Sequence, residues 1–120
     1  MGNITKNFSS DEFKCPCCGL YHPCPDLVEK LQTMRDRCGF ALSINSGTRC
    51  KKRNNLMGGR PNSSHLTGEG VDIECLSSRQ RIAIVKYALE AGIDRIGVSR
   101  GFIHVDVSKI LPRNVFWLYL

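Results

Sequence analysis

Between Ser46 and Glu69 the chain runs through a stretch rich in turn formers and poor in core residues. It reads Ser46-Gly47-Thr48-Arg49, then Asn54-Asn55, Gly58-Gly59, Pro61-Asn62 and Ser63-Ser64-His65 on to Gly68. A loop this long without secondary structure of its own is uncommon in a compact domain unless it carries function. It is therefore expected to be the functional loop, and the core must be built from the segments on either side. With 120 residues, 42% of them hydrophobic, the chain supports a single domain spanning 1–120 and is too short for two ordinary ones.

Upstream, Leu27, Leu31, Met34 and Cys38 recur at the three-to-four spacing of an amphipathic helix opened by Asp26, with Pro25 before it and Gly39 to stop it. Phe40, Leu42 and Ile44 then alternate with polar or small neighbours, which predicts a half-buried strand over 40–45. Downstream, Gly70 to Cys75 reads as a second strand. Ser77 or Ser78 should cap a helix running to Ala91, with Ile82, Val85 and Leu89 on its buried face and Gly92 at its end. Two more strands, 93–98 and 102–107, are joined by Ser99-Arg100-Gly101 as a short hairpin. The order implies an α+β domain, a small mainly antiparallel sheet flanked by two helices. Residues 1–24 precede it as an irregular, Cys-rich N-terminal arm.

Charge and cysteines bound the partners. Lys and Arg exceed Asp and Glu by 17 to 11, so the surface should be drawn to anionic polymers. The basic residues are scattered, however, with no interleaved aromatics to stack bases, and nucleic-acid binding is placed last among the readings. No run approaches the roughly 18 apolar residues of a membrane span, and the N-terminus lacks the apolar stretch of a secretory signal. The expectation is a monomer made in a cytoplasm. Of the seven cysteines, Cys15, Cys17, Cys18 and Cys24 crowd together with His22. Their spacing matches neither usual paired-cysteine zinc arrangement, so a local disulfide or free thiols are ranked above a second zinc.

The chemistry points to a metal. A catalytic zinc takes three protein ligands from His, Asp, Glu and Cys and keeps a fourth position for water. His65 ends the loop, and Asp72 lies between Val71 and Ile73, where an unpartnered carboxylate would cost several kcal/mol, roughly, if buried. In Gly101-Phe102-Ile103-His104-Val105-Asp106-Val107, the period of two puts His104 and Asp106 on one face and Ile103, Val105 and Val107 on the other. Each residue alone is more often a cap or a hydrogen-bonded side chain than a ligand. Cys75 competes as a ligand, but three residues along a strand turn it away from Asp72.

The full string Ser63-Ser64-His65-Leu66-Thr67-Gly68-Glu69-Gly70-Val71-Asp72 resembles the Ser-x-His-x-x-Gly-x-Ala-x-Asp signature of the zinc D-Ala-D-Ala carboxypeptidase and L-alanyl-D-glutamate peptidase family. That family includes bacteriophage endolysins and shares its metal site with the hedgehog signalling domain. Gly70 stands where Ala is usual; Ser46-Gly47-Thr48-Arg49 is similar to the family's Ser-Gly-Tyr-Arg, and His104-Val105-Asp106 to its last ligand strand. The resemblance implies Zn2+ held by His65, Asp72 and His104, with Arg49 on the substrate's carbonyl or carboxylate oxygen and Ser63 lining the bound peptide. It implies hydrolysis of a peptidoglycan stem-peptide bond, either L-Ala-D-Glu or D-Ala-D-Ala. The lack of a secretory signal suits a phage-type lysin reaching the wall after holin-type release, which is favoured over a cytoplasmic enzyme acting on wall precursors.

Many members carry an acid three residues before the last zinc histidine, as general base; here that position is Gly101. Asp106 is the expected replacement, with an orienting role toward His104 as the alternative. Glu69 and the more distant Asp94 are further candidates. The missing acid also permits a second reading, a zinc-stabilised binding domain of the same fold without catalysis.

Overall fold

A computed structural model describes residues 2–119. The amphipathic pattern folds as α1 (Pro25–Cys38), with Pro at its start and Gly39 in the left-handed region at its end. Leu27, Val28, Leu31 and Met34 are fully buried, each contributing roughly 1.5–3 kcal/mol through burial. A single 3-10 turn, Ser10–Phe13, interrupts the otherwise irregular arm. The arm is part of the core, since Phe8, Phe13 and Cys15 are each 1% exposed.

The strand expected over 40–45 is shorter and later, β1 (Ile44–Ser46). Its ladder shifts register between Ile44 and Ser46, and pairing begins only where the neighbouring strand supplies partners. The stretch expected to lack structure holds α2 (Lys51–Leu56) and a 3-10 turn, Ser64–Thr67. In α2 only Asn54 is buried, so the helix has no apolar stripe by which the sequence could announce it.

The remaining elements are β2 (Gly70–Glu74), α3 (Ser78–Glu90), β3 (Arg95–Val98), β4 (Phe102–Asp106) and β5 (Val115–Leu118). Ser77 caps α3, its hydroxyl accepting from Gln80 N–H at 3.2 Å. Of the buried face expected for α3, Val85 packs against the core, but Ile82 and Leu89 are 67% and 56% exposed, while Ile84 and Ala88 are fully buried. At about 100° per residue, Ile84 lies on the opposite side from Ile82. The contact with α1 selects that side.

The sheet has the order β1-β2-β4-β3-β5. Three pairings are antiparallel and β3 with β5 is parallel, so the sheet is mainly antiparallel as expected; α1 and α3 are the two helices packed on it, and the short α2 is a third among the described residues. Its two faces differ. Val71, Ile73, Ile103, Val105 and Ile96 pack with α1 and α3 in the core. The other face carries one row across all five strands, in which Ser46 pairs Asp72, Asp72 pairs His104, His104 pairs Gly97 and Gly97 pairs Trp117.

Candidate metal centre

The row across the open face assembles a site at its middle. His104 Nδ1 lies 3.0 Å from Asp72 Oδ1, and His65 Nε2 lies 3.3 Å from the same oxygen. All three residues are buried, and their ligand-type atoms fall within 4.8 Å of one another. His65 reaches the strands from the Ser64–Thr67 turn, which Ser63 begins by accepting from His65 N–H at 3.2 Å. The Ser63 side chain is therefore a helix cap that also lines the cleft.

Each imidazole is held from behind. His65 Nδ1 donates to the Gly47 carbonyl at 2.7 Å, which turns Nε2 toward Asp72. His104 Nε2 meets Asp106 Oδ2 at 2.6 Å, which leaves Nδ1 toward Asp72. Outer contacts of this kind fix the tautomer and orientation of a ligating histidine. Asp106 is itself fully buried and saturated: Arg95 Nε donates at 2.7 Å, Ser108 N–H at 3.2 Å and the Ser64 hydroxyl at 3.1 Å. Asp106 thus shares the strand face with His104, as the period of two implied, but lies behind the ring, away from the side facing Asp72.

Burial alone would raise the Asp72 carboxyl, but hydrogen bonds from His104 and His65 and their nearby charge outweigh it and hold it below the ordinary carboxylate range. For His104, burial favours the neutral ring, yet Asp106 and Asp72 together raise its affinity for a proton. Asp106 is lowered despite burial, by His104, the Ser108 N–H and the charge of Arg95. In all three groups a partner overrides desolvation.

Arg49 approaches from the loop side. Its guanidinium donates to Asp72 Oδ2 at 3.3 Å, to Ser46 Oγ at 3.1 Å and to Asn54 Oδ1 at 3.4 Å. Asn54, buried in α2, is in turn fixed by its bond to the Arg60 carbonyl at 2.8 Å. The site opens into a cleft of about 940 Å³, walled by Arg49, Arg60, Met57, Trp117 and Tyr119. The Trp117 ring lies 5.6 Å from that of His104, with the Arg95 guanidinium 5.2 Å from its centre.

Several of these residues escape a reading of the sequence. Ser64 bridges Asp106 and lies 3.3 Å from His104 Nε2, and it explains Gly70. A methyl group at 70 would come within 2.2 Å of Ser64 Oγ and 3.0 Å of His104 Cε1. Gly68, with φ +73, closes the turn and leaves no room for a side chain against the His22 carbonyl. Other expected positions are not brought in. Glu69 accepts from Thr67 Oγ1 outside the cleft, Asp94 pairs with Arg113, and Gly101 faces open space at the hairpin. Cys75 is core.

Two imidazoles and a carboxylate converging from fixed tautomers fit a divalent metal ion such as zinc. A family model described as Peptidase M15 matches residues 6–106. No curated protein matches the chain.

Proposed function

The chain belongs to the peptidase M15 family, and from that premise we propose that it is a zinc-dependent hydrolase of a peptidoglycan stem-peptide bond, acting as a phage-type wall lysin. The observation that carries the reading is the convergence of His65, Asp72 and His104 at the floor of a cleft large enough for a peptide. Zinc bound by these three would supply Lewis acidity, activating water and polarising the scissile carbonyl.

The chain's own groups divide the remaining work. Arg49, held by Ser46, Asn54 and Asp72, offers a positioned cation for the carbonyl oxygen or a substrate carboxylate. Arg60 adds positive charge along the cleft, suited to the acidic stem peptide. Trp117, Tyr119 and Met57 give apolar walls that exclude water from the bond. Asp106 is assigned to orienting His104, because its carboxylate sits behind the ring with every contact filled. Ser63 shapes the turn that delivers His65.

One observation favours a second reading, a binding domain that kept the metal and lost catalysis. Among the described residues, Asp72 and Asp106 are the only carboxylates lining the cleft, and both are already engaged. The two readings separate in one experiment: purified muropeptides incubated with zinc-loaded protein, with and without chelator, and analysed by mass spectrometry. Chelator-sensitive cleavage supports the hydrolase and identifies the bond. Zinc-dependent binding of intact muropeptides without any cleavage would sink it.

A further inference from the structure

The second cluster of ligand-type side chains lies outside the cleft and does not consist of the cysteines that crowd together in the sequence. The sulfurs of Cys15, Cys17, Cys18 and Cys50 all fall within 4.8 Å of one another, while Cys24 stands apart as the residue before α1. We propose that these four cysteines bind a structural zinc ion, which ties the N-terminal arm to the segment bearing Arg49. The inference is independent of the hydrolase reading.

Three observations carry it. The first is distance. Cys15 Sγ lies 3.7 Å from Cys50 Sγ, and Cys17 Sγ lies 3.4 Å from it. A disulfide requires about 2.05 Å, whereas sulfurs bound tetrahedrally at about 2.3 Å from zinc sit about 3.8 Å apart. The observed spacings approach the edge of such a tetrahedron.

The second is the backbone. Cys15 N–H donates to the Leu20 carbonyl at 2.7 Å and Gly19 N–H to the Cys15 carbonyl at 2.8 Å, closing a tight turn with Gly19 at φ +75. This turn aims three sulfurs at one point. Cys50 N–H points at Cys15 Sγ at 3.5 Å, and Arg53 N–H at Cys50 Sγ at 3.4 Å. Such N–H groups stabilise negative sulfur, as four thiolates on one zinc would need.

The third is electrostatics and setting. Zinc with four thiolates carries a formal net charge of about −2, and Lys51 and Lys52 follow Cys50 directly at the start of α2. Cys17 and Cys18 are exposed, so the cluster is open to an incoming ion, whereas Cys15 is anchored in the core. The ligand set, all soft sulfur, selects zinc over magnesium or calcium.

The test uses the full chain purified under reducing conditions. Wild-type protein is expected to hold two zinc ions by elemental analysis, His65→Ala one, and the Cys17→Ser/Cys50→Ser double variant one. Loaded with cobalt(II), His65→Ala protein should retain the near-ultraviolet sulfur-to-metal charge-transfer band, and the double-cysteine variant should lack it. If that variant does not fold, the wild type decides by alkylation. Cys17 and Cys18, whose side chains are exposed, should resist iodoacetamide until a chelator is added. No charge-transfer band in the cobalt-loaded His65→Ala protein would overturn the proposal. So would equal alkylation before and after chelation, or a mass two hydrogens lower that maps to a Cys15–Cys50 or Cys17–Cys50 disulfide.

Discussion

Asp72 and His104 are direct cross-strand partners, and the carboxylate oxygen that meets the His104 ring at 3.0 Å also faces His65 at 3.3 Å. One oxygen thus serves as the common neighbour of two imidazoles. Its removal should affect the metal and Arg49 together, since Arg49 donates to the other oxygen of the same carboxylate. Asp72→Ala is expected to abolish zinc at this site and, in the metal-free protein, to leave Arg49 without its buried partner. His65→Ala and His104→Ala should abolish the zinc but keep the Arg49–Asp72 pair. Elemental analysis on a background lacking Cys17 and Cys50 isolates this site, and full zinc retention in the histidine variants would refute the assignment.

Asp106→Asn distinguishes the orienting role from a catalytic one. As the group behind His104, its loss should weaken zinc affinity by about 10- to 100-fold, and excess zinc should restore activity. A variant with unaltered zinc affinity but a rate lowered by roughly 100-fold or more would instead make Asp106 the proton acceptor. Competitive zinc titration beside turnover measurements separates the two.

Gly70→Ala should act through Ser64. The added methyl would drive the Ser64 hydroxyl off Asp106 and His104, at a cost of about 1.5–3 kcal/mol for the lost charge-assisted bond. Ser64→Ala removes the same bond by another route, so the double variant should be little worse than either single one. Additive losses in a denaturant-unfolding cycle would show that the two positions do not act through one contact.

The metal-free protein should be sensitive to alkali. His104 binds its proton more tightly in the folded chain. The stability this adds is fully present below the ordinary imidazole value of 6.5 and is lost as pH rises through the raised folded value. Asp72 and Asp106 act in the other direction, stabilising above the ordinary value of 3.8 and losing that contribution as pH falls through their lowered values. Chelated protein should therefore be most stable from about pH 4 to 6.5, with Tm falling on the alkaline side. Zinc must displace the His104 proton, so its affinity should rise with pH and flatten that fall. A Tm of the chelated protein that does not decline above neutrality would contradict the His104 assignment.

Gly101→Glu tests whether catalysis is limited by a missing base. A side chain at 101 meets open space, so the change should leave the fold intact. Because position 101 lies outside the cleft lining, turnover on muropeptides should stay unchanged. A rise of about 100-fold, the lower scale of general-base catalysis, would show instead that a carboxylate at 101 reaches the reacting bond.

How much of this could be read beforehand depends on range. The period of two in Ile103-His104-Val105-Asp106 is local, and it correctly puts the two polar residues on one face. It says nothing of which ring nitrogen Asp106 would meet, because that depends on the strand carrying Asp72. Ser64 is invisible for the same reason: its hydroxyl matters only through residues 40 and 42 positions away. Local spacing likewise grouped Cys24 with the arm cysteines, whereas the sulfur that joins them is that of Cys50, 35 residues from Cys15. β5 is not legible in the sequence because Val115-Phe116-Trp117-Leu118 has no polar alternation. At a sheet edge with Phe116 and Leu118 exposed, burial did not impose one.

The long span between Asp72 and His104 also bears on the order in which the chain folds. Their contact closes over 32 residues that include α3 and β3, whereas the β3–β4 hairpin closes over the three residues Ser99-Arg100-Gly101. Loop-closure entropy favours the hairpin and the α3 turn as early structure, with the β2–β4 ladder following. The ligand set is then complete only once the least local pairing has formed, so metal capture marks a late stage of folding rather than nucleating it. In stopped-flow refolding, added zinc should leave the main folding rate nearly unchanged and slow unfolding instead.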